Sequence, residues 1–306
     1  MERAENLARI MDVNLQFLLD FENSANSHLK EHWESLIYAT GSEELFEKTY
    51  EEANSQTVTE FLTFSTENPG SIISCISSAR ECARVVRDQI SNEMWEEINR
   101  FYLFLKSQNA RQVWDGSGPY EFYKQVRENS LLFQGLTDST FSHSYGWEFM
   151  QIGKYLERAD MTSRILDVKY HILLPSVGDV GGPLDTIQWI AVLRSCSAYK
   201  AYQQIYISDF QPWKIADFLI LSNEFPRSIK FCMKRINESL HKISGNADTY
   251  FSNSAEKLTG KVLSDLNYRS IDEIFAQGLH ESIDAMQINF NEIGSAVYET
   301  FIAYPV

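Results

Sequence analysis

A charged helical segment that occurs twice is the feature that most limits how this chain can fold. Residues Glu2–Val13 align without gaps on Glu157–Val168, and seven of the twelve positions are identical. At about 100° per residue, each copy places its charged side chains on one stripe of a helix. The first stripe holds Glu2, Glu5, Arg9, Asp12 and Gln16, and the second holds Glu157, Asp160, Arg164, Asp167 and His171.

In the second copy, rows of apolar residues flank the charged stripe on both sides. The opposite face carries Gln151, Arg158, Thr162 and Lys169. A surface helix normally has one apolar stripe and one polar, solvent-exposed face. A charged stripe between two apolar rows therefore predicts carboxylates that point inward, toward a partly buried polar seam. Pairs such as Glu5–Arg9 and Asp160–Arg164 are also common on solvated helices, so a solvated face stays open for either copy alone.

A second charged stripe follows an Asn-Pro-Gly break, on a helix predicted for residues 78–90. It holds Arg80, Arg84 and Arg87, with Asp88 beside the last arginine. Guanidinium groups bind carboxylates through two parallel hydrogen bonds. We therefore expect this arginine stripe to meet the acidic stripes of the motif helices. Such a meeting forms either a buried network that fixes the packing, which the residues favour, or a pocket for a charged ligand.

Composition excludes some functions. The chain has 306 residues and a formal net charge of −15, so it would repel a nucleic acid unless a basic patch overcame that charge. It has no Lys/Arg-rich run, no apolar stretch long enough to span a membrane and no signal-peptide pattern. We expect the four cysteines to be reduced core residues of a cytoplasmic protein.

Helical periodicity dominates the chain, and strand signals are nearly absent. The pattern predicts an all-α protein of about twelve helices, a single large multi-helix bundle over residues 1–306. The repeat offset of 155 residues is close to half of the chain. It indicates two roughly related halves, 1–150 and 151–306.

Metal and cofactor motifs are weak. Glu238–His241 is the single Glu-x-x-His, whereas di-iron bundles need two. His28 and His32 are four residues apart, but the glutamate of a metalloprotease does not follow His28. No glycine-rich phosphate loop occurs. We therefore predict no metal and no cofactor.

Five segments together resemble the alpha-E family, a group of bacterial helical proteins named for a Glu-Arg motif. They are Glu2–Asn14, Ser78–Asn99, Gly153–Val168, Asp185–Tyr206 and Glu224–Phe231, and they occur in the family's order. The resemblance implies a partner, because alpha-E proteins are typically encoded beside or fused to circularly permuted ATP-grasp proteins that resemble amidoligases. It implies a role in making or processing peptide-like amide products.

These observations favour an accessory or binding protein over an enzyme. A charged cleft would bind a peptide-like ligand or the ligase itself. The residues expected to line it are Glu2, Arg3, Glu5, Arg9, Asp12, Arg80, Arg84, Arg87, Asp88, Glu157, Arg158, Asp160, Arg164 and Asp167. Two alternatives remain: an enzyme in which Glu157 or Asp160 is the general base of an amide-forming or amide-cleaving step, and a scaffold in which the charges only fix helix register.

Overall fold

The protein is described from a computed structural model. The structure describes residues 1–21, 28–116, 118–171 and 181–303, and it describes their side chains except those of 18–21, 28–32, 110, 111, 115, 170 and 171. These residues contain no strand, which confirms the all-α prediction. Among the described residues, no helix is both long and apolar enough to cross a membrane.

The chain divides into two compact units, Met1–Ser142 and His143–Val306. The helices of the first unit are α1 (Glu2–Phe21), α2 (His28–Thr40), α3 (Glu43–Thr49), α4 (Ser55–Thr59), α5 (Ile72–Val85), α6 (Asn92–Lys106), α7 (Ala110–Asp115) and α8 (Pro119–Thr140), with a π-helical turn at Glu60–Phe64. Those of the second unit are α9 (Tyr145–His171), α10 (Pro183–Ser195), α11 (Tyr199–Tyr206), α12 (Pro212–Leu221), α13 (Ile229–Ser244), α14 (Ser254–Tyr268), α15 (Ile271–Gln277) and α16 (Leu279–Phe301).

Each unit contains a closed ring of four helices. In the first, α1 packs against α5 and α8, and α6 packs against the same two helices. In the second, α9 packs against α13 and α16, and α14 completes the ring in the same way. The motif helix therefore occupies the first position of the ring in both units.

A second sequence repeat lies at the start of the second helix of each ring. Ser65–Cys75 and Ser222–Cys232 share six of eleven residues. In each copy the second serine caps the helix by accepting the backbone N–H three residues on, and its own hydroxyl donates to the carbonyl of the first serine. These caps are Ser71, bonded to Ser74 N and Ser65 O, and Ser228, bonded to Phe231 N and Ser222 O.

The helix α1 is the most enclosed element of the first unit. Ala4, Ala8 and Met11 are fully buried, and Leu7 is 2% exposed. Burying a side chain such as Leu7 stabilises a fold by about 1.5–3 kcal/mol. The surroundings of this helix leave its charged stripe little access to water, whereas Arg3, which lies off the stripe, is exposed.

The cysteine prediction is wrong in part. Cys196 and Cys232 are buried, as expected, but Cys75 is partly exposed and Cys82 is exposed. The reason is that α5 buries a narrow face, formed by Ile72, Ile76 and Ala83, and Cys82 lies outside it.

Candidate functional site

The charged stripe of α1 is sealed inside the first unit. Glu2, Glu5, Arg9 and Asp12 are each no more than 5% exposed. Glu5 forms an ion pair with Arg9 on the same helix. The inward orientation predicted for this copy is confirmed.

Two contacts join this stripe to α8. The amide of Gln134 donates to Glu2 Oε2 at 3.1 Å, and the guanidinium of Arg127 lies 3.0 Å from Asp12 Oδ2. Burial raises the pKa of Asp12, while the charge of Arg127 and a hydrogen bond from Gln16 oppose that rise. The carboxylate is therefore held in an enclosed place mainly by one guanidinium.

The charged stripe of α9 is half-open. Glu157 is partly exposed, and the side chains of Asp160 and Asp167 are each 13% exposed. Arg164 pairs with Asp160 Oδ2 at 2.8 Å, as its spacing predicts. Asp160 Oδ1 is enclosed and has no hydrogen-bond partner among the described atoms. An unsatisfied buried acceptor costs about 1–3 kcal/mol, so this oxygen is a natural place for a water molecule or a ligand donor.

The far end of the α9 stripe meets α16. His280 Nδ1 lies 2.7 Å from Asp167 Oδ1, and His280 Nε2 lies 3.5 Å from Asp284 Oδ2. The hydrogen bond to Asp167 raises the pKa of His280, burial lowers it, and the charges of Asp167, Asp284 and Glu281 raise it further. The net direction is upward, which favours a protonated imidazole between two carboxylates.

In the described part of the chain, Asp167, His280 and Asp284 are the one group with the spacing of metal ligands, since their ligand atoms lie within 4.8 Å of one another. Each nitrogen of His280 faces a different carboxylate, a geometry that suits an imidazolium ion pair better than a shared ion. The two other metal candidates from the sequence, Glu238–His241 and the pair His28 and His32, gain no support from the described residues. Glu238 pairs with Arg235 at 2.8 Å, and the side chains of His28 and His32 lie outside the described residues. The absence of a metal stays a prediction.

Three residues on the opposite face of α9 are more deeply buried than its charged stripe, which the sequence did not suggest. Gln151, Arg158 and Thr162 are no more than 8% exposed. Arg158 donates to the carbonyl of Pro226 at 3.3 Å, and the Thr162 hydroxyl donates to that of Arg227 at 2.9 Å. The motif arginine of the second copy therefore holds the loop that leads into α13. Arg3, its counterpart in the first copy, is exposed.

The arginine stripe does not meet the acidic stripes, and this prediction is wrong. Arg80 donates to Asn99 at 2.6 Å and pairs with Glu81. Arg84 also pairs with Glu81. Arg87 donates to Asn92.

The physical reason is that α5 turns these side chains toward α6 and water. The Arg80 guanidinium lies over the rings of Trp95 and Tyr102, at 5.9 and 5.0 Å from their centroids. A guanidinium on an exposed ring face stays hydrated, whereas moving it into a core has a large desolvation penalty. In addition, α5 ends at Val85, so Arg87 and Asp88 lie beyond the helix, and Asp88 accepts from its neighbour Gln89.

One ion pair that sequence reasoning missed anchors α10 to α9. Lys169 Nζ lies 2.9 Å from Asp185 Oδ1. Burial alone would raise the pKa of Asp185, but the bonds from Lys169 and Gly181 and the charge of Lys169 lower it overall. The two residues are 16 positions apart and share no helical period, so no pattern in the sequence indicated the pair.

The fold and its paired Glu-Arg helices define a class of all-α protein, in which two four-helix rings each carry a charged motif helix. The chain belongs to the Alpha-E family, described as "a predicted alpha-helical domain with a conserved ER motif", whose family model matches residues 1–302. No solved structure matches the chain.

Three mycobacterial proteins are similar to this chain along nearly its whole length. An uncharacterised protein of Mycobacterium bovis is 21% identical over 324 residues, which cover 99% of this chain and 36% of that protein. Two uncharacterised proteins of Mycobacterium tuberculosis match with the same identity and coverage. The chain thus spans little more than a third of the length of these relatives.

Proposed function

We propose that this chain is a binding protein that works with an ATP-grasp-type ligase of the amidoligase kind in peptide-like amide metabolism. In this proposal the two motif helices have different tasks. The sealed stripe of α1 fixes the packing of its unit. The half-open stripe of α9 contacts the ligand or the ligase.

The observation that carries the proposal is the contrast between the two stripes. The carboxylate of Asp12 is 3% exposed, whereas those of Asp160 and Asp167 are each 13% exposed. A purely structural network requires every charge to be paired and enclosed, and the α1 stripe fits that description. The enclosed oxygen of Asp160 without a partner favours a binding role for α9 instead.

The length of the relatives supports a second protein or domain as partner. The segment that is similar to this chain makes up 36% of each mycobacterial relative. Domains of one chain commonly share an interface, so the remainder of such a relative is a candidate partner for this module. The ATP-grasp identity of the partner comes from the family resemblance.

The test compares the products of the ATP-grasp partner with and without this protein, analysed by mass spectrometry. We expect a change in product yield or length that Asp160→Asn and Asp167→Asn reduce. The matched control is Asp272→Asn, an exposed residue on α15. Identical products with and without the protein, together with no co-purification, would reject the proposal.

The enzyme alternative gives a different result in the same assay. Turnover by this protein alone that disappears in a folded Glu157→Gln variant would establish catalysis by that carboxylate. If the Gln variant unfolds, Glu157 is structural.

A further inference from the structure

The helix α16 carries an apolar stripe on its exposed side. Ile288, Tyr298 and Ile302 are 60%, 57% and 54% exposed. Together with Ser295 they are spaced seven, three and four positions apart, which keeps them on one stripe of a helix. The buried side of α16 packs against α9, α14 and α15. Single exposed apolar residues are common on a protein surface, but several along one helix indicate a contact surface.

Beside this stripe, α14 and α16 form a shallow groove, which we call the α14–α16 groove. Four of the residues that line it are Leu258, Ile288, Ser295 and Ala296. The two helices are in contact at its end, where the hydroxyl oxygens of Ser254 and Thr300 lie 3.2 Å apart. Small side chains in the wall of a groove leave space for the side chains of a third helix.

The groove is acidic. Glu292 and Glu299, which are seven positions apart, also line it, and both are exposed. Neither carboxylate has an ion-pair or hydrogen-bond partner among the described residues. The nearby lysines of α14, Lys257 and Lys261, are not among the lining residues, and Lys257 Nζ lies 5.2 Å from the centroid of the Phe251 ring. The described lining therefore contains two carboxylates and no cation.

We propose that the α14–α16 groove docks a basic amphipathic helix of a partner protein. Ile288 and Ile302 are 14 positions apart, which corresponds to about 21 Å, or about four turns of a second helix. Apolar residues at every third or fourth position of that helix would cover the exposed stripe. Lysines or arginines beside them would reach Glu292 and Glu299, as the charges that flank the seam of a coiled coil do.

The charge of α16 favours this partner over the other candidates. The helix contains four carboxylates and no lysine or arginine. A second copy of the chain that placed α16 against α16 would bring like charges together, which opposes association. A nucleic acid or an anionic lipid surface would be repelled by the same carboxylates. The inference goes beyond the proposed function, because it concerns α14 and α16 and not the charged stripe of α9.

The experiment measures the binding of a model helix to the full chain by fluorescence polarisation. The probe is a labelled peptide of about 18 residues with leucine at the a and d positions and lysine at the e and g positions of each heptad. We expect saturable binding that is weaker at physiological salt than at low salt. A peptide of the same composition in scrambled order has no apolar stripe and should bind at least about tenfold more weakly.

Two double variants at exposed positions test the two parts of the surface. Ile288→Ser/Tyr298→Ser should weaken binding by at least about tenfold, because it removes the apolar contacts. Glu292→Gln/Glu299→Gln should weaken it by at least about threefold at low salt, because exposed ion pairs contribute less. Circular dichroism checks that both variants remain folded.

Matched controls carry the same kinds of change at exposed positions of the first unit. Glu121→Gln/Glu128→Gln also removes two carboxylates seven positions apart, and Leu103→Ser/Tyr120→Ser removes two side chains that are 62% and 49% exposed. Both controls should leave the affinity unchanged.

Three results would reject the inference. They are binding that does not saturate, a scrambled peptide that binds as tightly as the model helix, and control variants that weaken binding as much as the groove variants. A dimer in sedimentation that Ile288→Ser/Tyr298→Ser dissociates would also reject it, because the groove would then bind a second copy of the chain. No ligase is used, so the result is independent of the proposed function.

Discussion

The imidazole of His280 lies 2.7 Å from the carboxylate of Asp167, which joins the first turn of α16 to the last part of the motif helix α9. The side chain of His280 is 25% exposed and that of Asp167 is 13% exposed. Asp167 is the aspartate that aligns with Asp12 in the repeat, and Asp12 pairs with Arg127 on α8. In both units, therefore, the last acidic residue of the motif pairs with a basic side chain on the fourth helix of the ring. The first unit uses a permanent cation, and the second uses one that titrates.

The stability of the second unit should consequently fall as the pH rises above neutrality. The pKa of His280 is raised in the folded state, mainly by the hydrogen bond to Asp167, so folding favours the protonated imidazole. The contribution is complete below the unfolded pKa of about 6.5 and is lost as the pH rises through the higher folded pKa. The measurement is the melting temperature from pH 5.5 to 8.5 for the native protein and for His280→Gln. We expect the decline over this range to be shallower in the variant, and parallel curves would contradict the assignment.

The pair Asp12–Arg127 should be essential to the stability of the first unit. Arg127→Leu leaves the carboxylate of Asp12 buried with its main counter-charge removed. Breaking a fully buried pair costs about 3–5 kcal/mol, and we expect about 2–4 kcal/mol here because the Arg127 side chain is 25% exposed.

The double variant Asp12→Leu/Arg127→Leu tests the mechanism of that loss. An apolar pair of similar volume often equals a buried ion pair, so the double variant should regain at least half of the stability lost by Arg127→Leu. Urea unfolding measures both. A double variant that is less stable than the single one would show that the two residues contribute independently.

The sequence predicted the helical elements well because they depend on local periodicity. The two helical repeats, Glu2–Val13 and Glu157–Val168, lie within α1 and α9, as their periodicity predicts. The inward stripe of α1 was also correct, because the repeat restricted what its charges could do. About twelve helices were predicted and sixteen lie in the described residues, since short elements such as α3 and α4 have too few residues to show a period.

The candidate site was harder to predict because its contacts join residues that are distant in the sequence. Periodicity shows which residues share a helix face, but it does not show which helix covers that face. Thus Arg84 was expected to pair with motif carboxylates and instead pairs with Glu81 on its own helix. Likewise, Arg158 on α9 donates to the carbonyl of Pro226, which lies 68 positions away in the sequence. The Ser65–Cys75 repeat, in contrast, is visible in the sequence alone, because six of its eleven residues recur at Ser222–Cys232.

Removing the charge of Arg84 should have little effect on stability. Its side chain is 65% exposed and its partner Glu81 is 47% exposed. Exposed ion pairs contribute roughly 0–1 kcal/mol, so Arg84→Gln should lower the free energy of unfolding by less than about 1 kcal/mol in urea. A loss well above about 1 kcal/mol would show that Arg84 has a stabilising partner beyond Glu81.

The helix caps Ser71 and Ser228 should contribute similar amounts to the stability of their respective units. Each hydroxyl accepts a backbone N–H of its helix and donates to a carbonyl six residues earlier, so Ser71→Ala and Ser228→Ala each lose both bonds. Replacing an N-cap serine by alanine costs about 0.5–2 kcal/mol, and full burial of both side chains places the expected loss near the upper end. Urea unfolding gives the two values. Ser78→Ala, at an exposed position within α5, should change stability by less than about 0.5 kcal/mol. If either capping variant matches this control, the hydroxyl does not hold that loop against its helix, and the equivalence of the two repeats fails at that position.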